Sequence, residues 1–144
     1  MTEADALIAA LTLAPHPEGG HCRETWRADA PSGARPAGTA ILFLLKAGET
    51  SHWHRVDSTE IWLFHAGAPL LLSRAARTEG PATDALLGPD VLAGQSPQLI
   101  VPPGHWQAAR STGAFTLVSC TVSPGFRFEG FTLAPPGFDI ARGG

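Results

Sequence analysis

The stretch GETSHWHRVDSTEIWLFHAG, residues 48–67, decides both the fold and the expected functional site. It contains two strand-like runs, SHWHRV and EIWLFHA, separated by residues that favour a turn. Because side chains alternate along a strand, His52 and His54 are expected on one face and Trp53 on the other. Glu60 can return beside the histidines on the neighbouring strand. The stretch therefore predicts two imidazoles and one carboxylate at the same place.

The rest of the chain repeats this pattern of short strands and tight turns. Gly and Pro, with 16 and 13 residues, exceed their average usage, and strand candidates recur about every ten residues. Such spacing predicts an all-β sandwich or barrel. The further candidates are HCRETWR (21–27), TAILFLL (39–45), PLLLSRA (69–75), PQLIVPP (97–103), HWQAARS (105–111), FTLVSCTV (115–122) and FRFEGFTLA (126–134).

One short helix is expected at the N-terminus. Thr2 and Asp5 have the spacing of a capping box, and apolar residues recur at helical intervals as far as Leu11. This predicts a helix over about residues 3–12.

The length and the absence of repeats or linkers indicate one domain. A chain of 144 residues suits a single core. We expect one domain over residues 1–144, with the barrel over about 20–133 and a surface tail over 134–144.

Composition excludes several classes of partner. A net charge of −3 without runs of like charge gives no electrostatic footprint for nucleic acid or an anionic membrane. Acids near the N-terminus and short apolar runs argue against a signal peptide or a spanning helix, so a soluble cytoplasmic protein is expected. Cys22 and Cys120 form no C-x-x-C pair, which favours two reduced, buried thiols. The remaining class of partner is a small-molecule ligand.

A second segment, PQLIVPPGHWQAA (97–109), is expected to complete the site. Its Pro-Pro-Gly turn leads into a strand that carries Gln107, which can face His54 and Glu60 if that strand lies opposite the hairpin. Two imidazoles and a carboxylate suit a divalent metal, or proton transfer without one. The remaining histidines lack such partners in the sequence: His16, His21, His65 and His105.

Polar and aromatic residues on two strands are candidates for gripping a ligand. On strand 21–27, alternation places Cys22, Glu24 and Trp26 on one face and Arg23 on the other, so only one of Arg23 and Glu24 can enter the cavity. Trp62 and Phe64 share a face with Glu60. The expected substrate pocket therefore contains Arg23, Glu24, Trp62, Phe64 and Gln107.

These motifs resemble those of the cupin superfamily. The first cupin motif corresponds here to Gly48, His52, His54, Glu60 and Gly67, and the second to Pro-x-Gly at residues 102–104. Similarity to one small-cupin family, cupin type 5 or domain of unknown function 985, extends over about residues 13–131. It is carried by PHPEGG, RETWR, SHWHRV, EIWLFHAG, PQLIVPPGHWQAA and CTVSPGF.

The resemblance implies a fold and an assembly. Cupins are double-stranded β-helices, jelly-roll barrels of two antiparallel sheets with a ligand cavity at one end, and such proteins form homodimers or larger assemblies. Cupins usually carry a third metal-binding histidine where this chain has Gln107, whose amide is a poorer ligand for transition metals.

The resemblance implies three alternative functions. Family members are labelled as predicted sugar epimerases or isomerases, which implies proton transfer by His54 and Glu60 on a sugar or sugar phosphate, with Gln107 or Arg23 polarising the oxygen. A metal-dependent oxygenase would hold iron, manganese, zinc or nickel on His52, His54 and Glu60. A non-catalytic protein would bind a small molecule in an aromatic-lined cavity. The first hypothesis is favoured because Gln107 weakens the metal set.

Overall fold

A computed structural model describes residues 1–143 and contains one α-helix and eleven strands. The helix α1 spans Glu3–Ala10. The strands are β1 (Ala14–Pro15), β2 (His21–Arg27), β3 (Thr39–Lys46), β4 (Thr50–Val56), β5 (Thr59–Gly67), β6 (Leu70–Ala75), β7 (Thr83–Leu87), β8 (Gln98–Val101), β9 (Trp106–Ser111), β10 (Phe115–Ser123) and β11 (Phe131–Leu133).

The strands form two antiparallel sheets, as expected for a jelly roll. The larger sheet has the order β1-β2-β3-β10-β5-β8, and the smaller has the order β11-β4-β9-β6-β7. The main core lies between the sheets and includes Phe43, Trp62, Leu72 and Val118, each at most 1% exposed. The all-β jelly-roll prediction is confirmed.

Helix α1 covers one end of the outer face of the larger sheet. The Thr2 hydroxyl accepts a hydrogen bond from the Asp5 amide at 3.1 Å, and the Asp5 carboxylate accepts one from the Thr2 amide, so the capping box is formed. The helix ends at Ala10, two residues earlier than expected, and Thr12 has a φ of +56°. No helix in the described residues is long and apolar enough to cross a membrane.

The C-terminal segment packs against the outer face of the smaller sheet instead of trailing over the surface. Ile140 is only 1% exposed and belongs to a second core cluster with Trp53 and Trp106. The Trp53 indole donates a hydrogen bond to Asp139 at 2.8 Å. Gly144, the last residue of the predicted tail, lies outside the described residues.

The strand predictions differ from the structure at three places, of which the short β1 (Ala14–Pro15) is one. Of the candidate over 126–134, only Phe131–Leu133 is a strand, because Phe128–Gly130 forms a 3-10 turn. Strand β7 (TDALL) was not predicted, since its residues are not typical strand formers. It is held by pairing with β6 along its whole length.

The packing of Ile140 makes a prediction about stability. Ile140→Ala should lower the free energy of unfolding by about 2–4 kcal/mol, because it leaves a cavity in a closed cluster. Urea denaturation measures this, and Leu92→Ala, at a fully exposed residue, should change it by less than about 0.5 kcal/mol. An effect of Ile140→Ala as small as that of the control would mean that the C-terminal segment is not part of the cooperative unit.

Candidate functional site

The turn PHPEGG delivers Glu18 into the mouth of the barrel. Gly19 has a φ of +111°, and a Cβ there would lie 1.9 Å from the carbonyl oxygen of Thr50, so the turn lies directly against β4. The His52 amide donates to the Glu18 carbonyl at 2.8 Å, which fixes this approach. Glu18 is 9% exposed and lines the same cavity as His16. The sequence pattern predicts only a turn here, and neither residue is among the predicted site residues.

A bulge in β4 decides which histidine reaches the cavity. The register of β4 against β9 shifts by one residue between Ser51 and His54, so these two side chains both face inward. His52 instead places its Nε2 atom 2.9 Å from the carbonyl oxygen of Pro135, and Trp53 joins the outer cluster. The expectation that His52 and His54 share a face is wrong, because regular alternation ends at the bulge.

His54 and Glu18 lie side by side and are both buried. The Nδ1 atom of His54 lies 2.8 Å from the carbonyl oxygen of His52. A carbonyl can only accept, so Nδ1 carries a hydrogen, and Nε2 lies 3.2 Å from a carboxyl oxygen of Glu18. Ser51 donates to the other carboxyl oxygen at 2.7 Å, which holds Glu18 in place.

Glu60 accepts a hydrogen bond from the side-chain amide of Gln107, whose orientation is fixed by Trp62. The Trp62 indole, which can only donate, lies 2.7 Å from Oε1 of Gln107, so the amide nitrogen of Gln107 must point the other way. That nitrogen donates to Glu60 Oε1 at 2.8 Å. Gln107 and Trp62 are fully buried. They therefore support Glu60 and do not line the cavity themselves.

Burial shifts the acid–base properties of all four polar groups. It raises the pKa of Glu60 to about 7, and the neighbouring Glu18 adds to this rise. Burial also raises the pKa of Glu18 and lowers the pKa values of His54 and His16. These directions favour the neutral forms of the carboxyls and the rings, while the charge of His54 partly opposes the rise of the Glu60 pKa. Glu60 is thereby set for proton exchange near neutral pH.

These groups lie at the floor of a cavity of about 380 Å³ between the sheets. Apolar side chains of both sheets form its walls, and the segment between β10 and β11 contributes Phe126 and Phe128 at the mouth. Phe131 packs against the His54 ring, with centroids 5.6 Å apart. A small organic molecule could therefore reach Glu60, Glu18 and His54 together.

The predicted pocket residues lie in three different places: at the mouth of the cavity, in the main core and on the outer face of β2. Glu24 lines the mouth, where its carboxylate binds Arg27 through two hydrogen bonds of 2.9 and 2.8 Å. Phe64, like Trp62, packs in or against the main core. Arg23 is exposed and lies on the face of β2 opposite Glu24, so its predicted place in the pocket is wrong. A bulge between Glu24 and Trp26 also turns Arg27 inward, against the predicted alternation.

The metal set implied by the cupin resemblance does not fit these residues. His52 points away from His54 and Glu60, and the amide oxygen of Gln107 already accepts from Trp62. The Nε2 atom of His54 faces Glu18. Within residues 1–143, no three His, Cys, Asp or Glu side chains are arranged to hold a metal ion. The arrangement is suited to proton transfer.

The fold and the site define a cupin-type jelly roll with a buried acid–base cluster, and comparison with known proteins agrees with this class. The chain belongs to the cupin family that is described as Cupin superfamily (DUF985). The sequence model of that family matches residues 5–134. No curated protein matches it.

The solved structures similar to this chain include two of more than 30% sequence identity and others of much lower identity. A protein from Shewanella oneidensis is 42% identical, with a TM-score of 0.85 over 93% of this chain and 85% of that chain. A hypothetical protein from Leishmania major is 32% identical, with a TM-score of 0.83 and coverage of 95% and 90%. Oxalate decarboxylase from Bacillus subtilis is 13% identical, with a TM-score of 0.62 over 83% of this chain and 29% of that chain. At that identity the similarity concerns the fold alone.

The raised pKa of Glu60 predicts a pH-dependent stability. The folded pKa of about 7 exceeds the ordinary value of 4.5, so the folded state holds this proton more tightly than the unfolded chain. The contribution of Glu60 to stability is therefore complete below about pH 4.5 and is lost as the pH rises through 7, on the order of 3 kcal/mol in all.

Glu60→Gln tests this effect because the amide cannot ionise but can still accept from Gln107. The free energy of unfolding of this variant, relative to the native chain, should increase between pH 4.5 and 7 and then level off. Glu79→Gln, at an exposed glutamate, is the control and should show no such increase. A difference that does not vary with pH would show that burial does not raise the Glu60 pKa.

Proposed function

We propose that this cupin is an isomerase- or epimerase-type enzyme that moves a proton at a carbon next to the carbonyl group of a small molecule. The observation that carries the proposal is the presence of two separate acid–base groups on one cavity floor. One is Glu60, with a pKa of about 7, and the other is Glu18, whose pKa burial also raises and which lies 3.2 Å from the His54 ring. Such chemistry needs both a base for carbon and an acid for oxygen.

The roles follow from the contacts of each group. Ionised Glu60 takes the proton from carbon, and the proton of the Glu18 carboxyl passes to the carbonyl oxygen, which gives a neutral enol. Return of a proton to the other carbon or the other face, and return of the oxygen's proton to Glu18, completes the reaction. Gln107, whose donor is engaged by Glu60, positions the base and does not polarise the substrate oxygen. Sugars and sugar phosphates with a carbonyl group are among the compounds that can undergo this proton transfer.

The other two functions have less support. A metal-dependent oxygenase would need a ligand set that His52 does not join. Metal analysis of protein produced with added iron, manganese, zinc and nickel tests it, and stoichiometric metal lost in His54→Ala would favour it. A non-catalytic binding protein would use the same cavity. It would be favoured by ligand binding without proton exchange.

We further propose that the protein works in the cytoplasm as a homodimer or larger assembly. Cys22 and Cys120 are free thiols, which suits a reducing compartment. Trp26 and Ile100 on the larger sheet are 54% and 50% exposed, as is common for residues that a partner subunit covers. Sedimentation velocity measures the oligomeric state, and a monomer at micromolar concentration would contradict the assembly.

Solvent-deuterium exchange tests the catalytic proposal. The native protein in D₂O should exchange the hydrogen next to the carbonyl in at least one compound of a panel of hexoses, hexose 6-phosphates and simple ketones, as followed by proton NMR. Glu60→Gln should slow this exchange by about 100-fold or more, because the base is lost. Glu18→Gln should also slow it, since an amide cannot pass a proton to the carbonyl oxygen of the substrate.

The pH dependence and a control complete this test. The exchange rate should rise with pH through about 7, as Glu60 becomes ionised. Glu79→Gln, at an exposed residue outside the cavity, should retain the native rate. Full exchange by Glu60→Gln, or exchange by none of the compounds, would contradict the proposal.

A further inference from the structure

Buried polar groups and apolar side chains line the same cavity. Glu18, His54 and Glu60 are each no more than 9% exposed, and Ile41 and Val122 lie beside them in the lining. The lining also includes the polar residues His16, Glu24, Arg27, Thr39 and Arg127. A ligand that fills this space therefore meets the three buried polar groups inside the cavity, with apolar side chains around them.

The mouth is aromatic. The rings of Phe126 and Phe128 are 5.0 Å apart and nearly perpendicular, and Phe128 is 6.2 Å from Phe131 in the same relation. Phe128 is 67% exposed, although it lies at the entrance of an apolar cavity. Covering such a ring with an apolar group is favourable by about 25 cal/mol for each Å² removed from water.

The polar side chains on the walls and at the mouth have partners within the protein. The Thr39 hydroxyl accepts from the Phe126 amide at 3.0 Å. Arg27 binds Glu24 through two hydrogen bonds, and Arg127 binds Asp57 at 3.0 Å. These pairs leave few groups to replace the water around a ligand with several hydroxyls. Each unmatched hydroxyl would weaken binding by about fivefold or more.

We infer that the substrate has an apolar body, aryl or branched alkyl, and one carbonyl-bearing polar end that enters first and meets Glu60, Glu18 and His54. The body lies against the apolar walls and the phenylalanines of the mouth. This inference rests on the proposed function for the chemistry at the carbonyl, and on the cavity lining for the body. It selects a different substrate class from the sugars that the family resemblance implies.

Matched probes test the substrate class. The probes are 4-phenyl-2-butanone, which has an aryl body and an enolisable ketone, and fructose and fructose 6-phosphate, which are enolisable but polyhydroxylated. Dissociation constants are measured by ligand-observed NMR titration. The aryl ketone should bind at least about tenfold more tightly than either sugar. Tighter binding of fructose or fructose 6-phosphate, or no binding of the aryl ketone, would overturn the inference.

Two variants locate the bound probe. Phe128→Ser should weaken binding of 4-phenyl-2-butanone by about fivefold or more, and an unchanged melting temperature shows that the variant is folded. Leu92→Ser, at a fully exposed residue on a different segment, is the matched control and should bind like the native protein. Equal affinity of Phe128→Ser and the native protein would remove the mouth from the binding site.

Deuterium exchange of the bound probes separates this inference from the proposed function. Binding of the aryl ketone without exchange that depends on Glu60 would support the substrate class and contradict the catalytic role. Exchange of fructose 6-phosphate together with tight binding of that compound would support the catalytic role and overturn the substrate class. If Arg127→Gln abolished that binding, the mouth would be a phosphate site instead.

Discussion

The contact on which the site depends is the hydrogen bond from the His54 ring to the backbone carbonyl of His52. It exists because β4 contains a bulge at this point, and it fixes which ring nitrogen carries hydrogen. The opposite nitrogen, Nε2, then lies 3.2 Å from the Glu18 carboxyl. Without the bulge, His54 would have no fixed tautomer, and Glu18 would be a buried carboxyl with only Ser51 and His16 to stabilise it.

Burial raises the pKa values of both carboxyls of the cavity, but their surroundings differ. Glu18 is brought in by a turn with two left-handed glycines and lies beside the His54 ring. Glu60 lies on a strand and accepts a hydrogen bond from the Gln107 amide, which cannot take up its proton. The charge of His54 also acts on Glu60 and opposes the rise of its pKa. The same ring therefore links the two carboxyls.

Much of the fold and part of the site could be predicted from the sequence. Strand β2 has its predicted bounds and most other strands lie within two residues of theirs, because their apolar runs end at Gly, Pro or Asp. The sequence places His54 and Glu60 in the same cavity correctly, but not as neighbours in one sheet, since β4 and β5 belong to different sheets. The position of His52 could not be predicted, since a bulge leaves no clear mark in SHWHRV. Glu18 and Phe128 were missed because they belong to turns, and their place depends on packing between segments distant in sequence.

The pairing of Gln107 with Trp62 has a consequence for substitution at this position. Gln107 accepts from one buried group and donates to another. A side chain without both a donor and an acceptor, such as Leu or Ala, would therefore leave the Trp62 indole and the Glu60 carboxyl without these partners at once. Only a residue with both functions, an amide or a neutral imidazole, can connect the core to the cavity in this way.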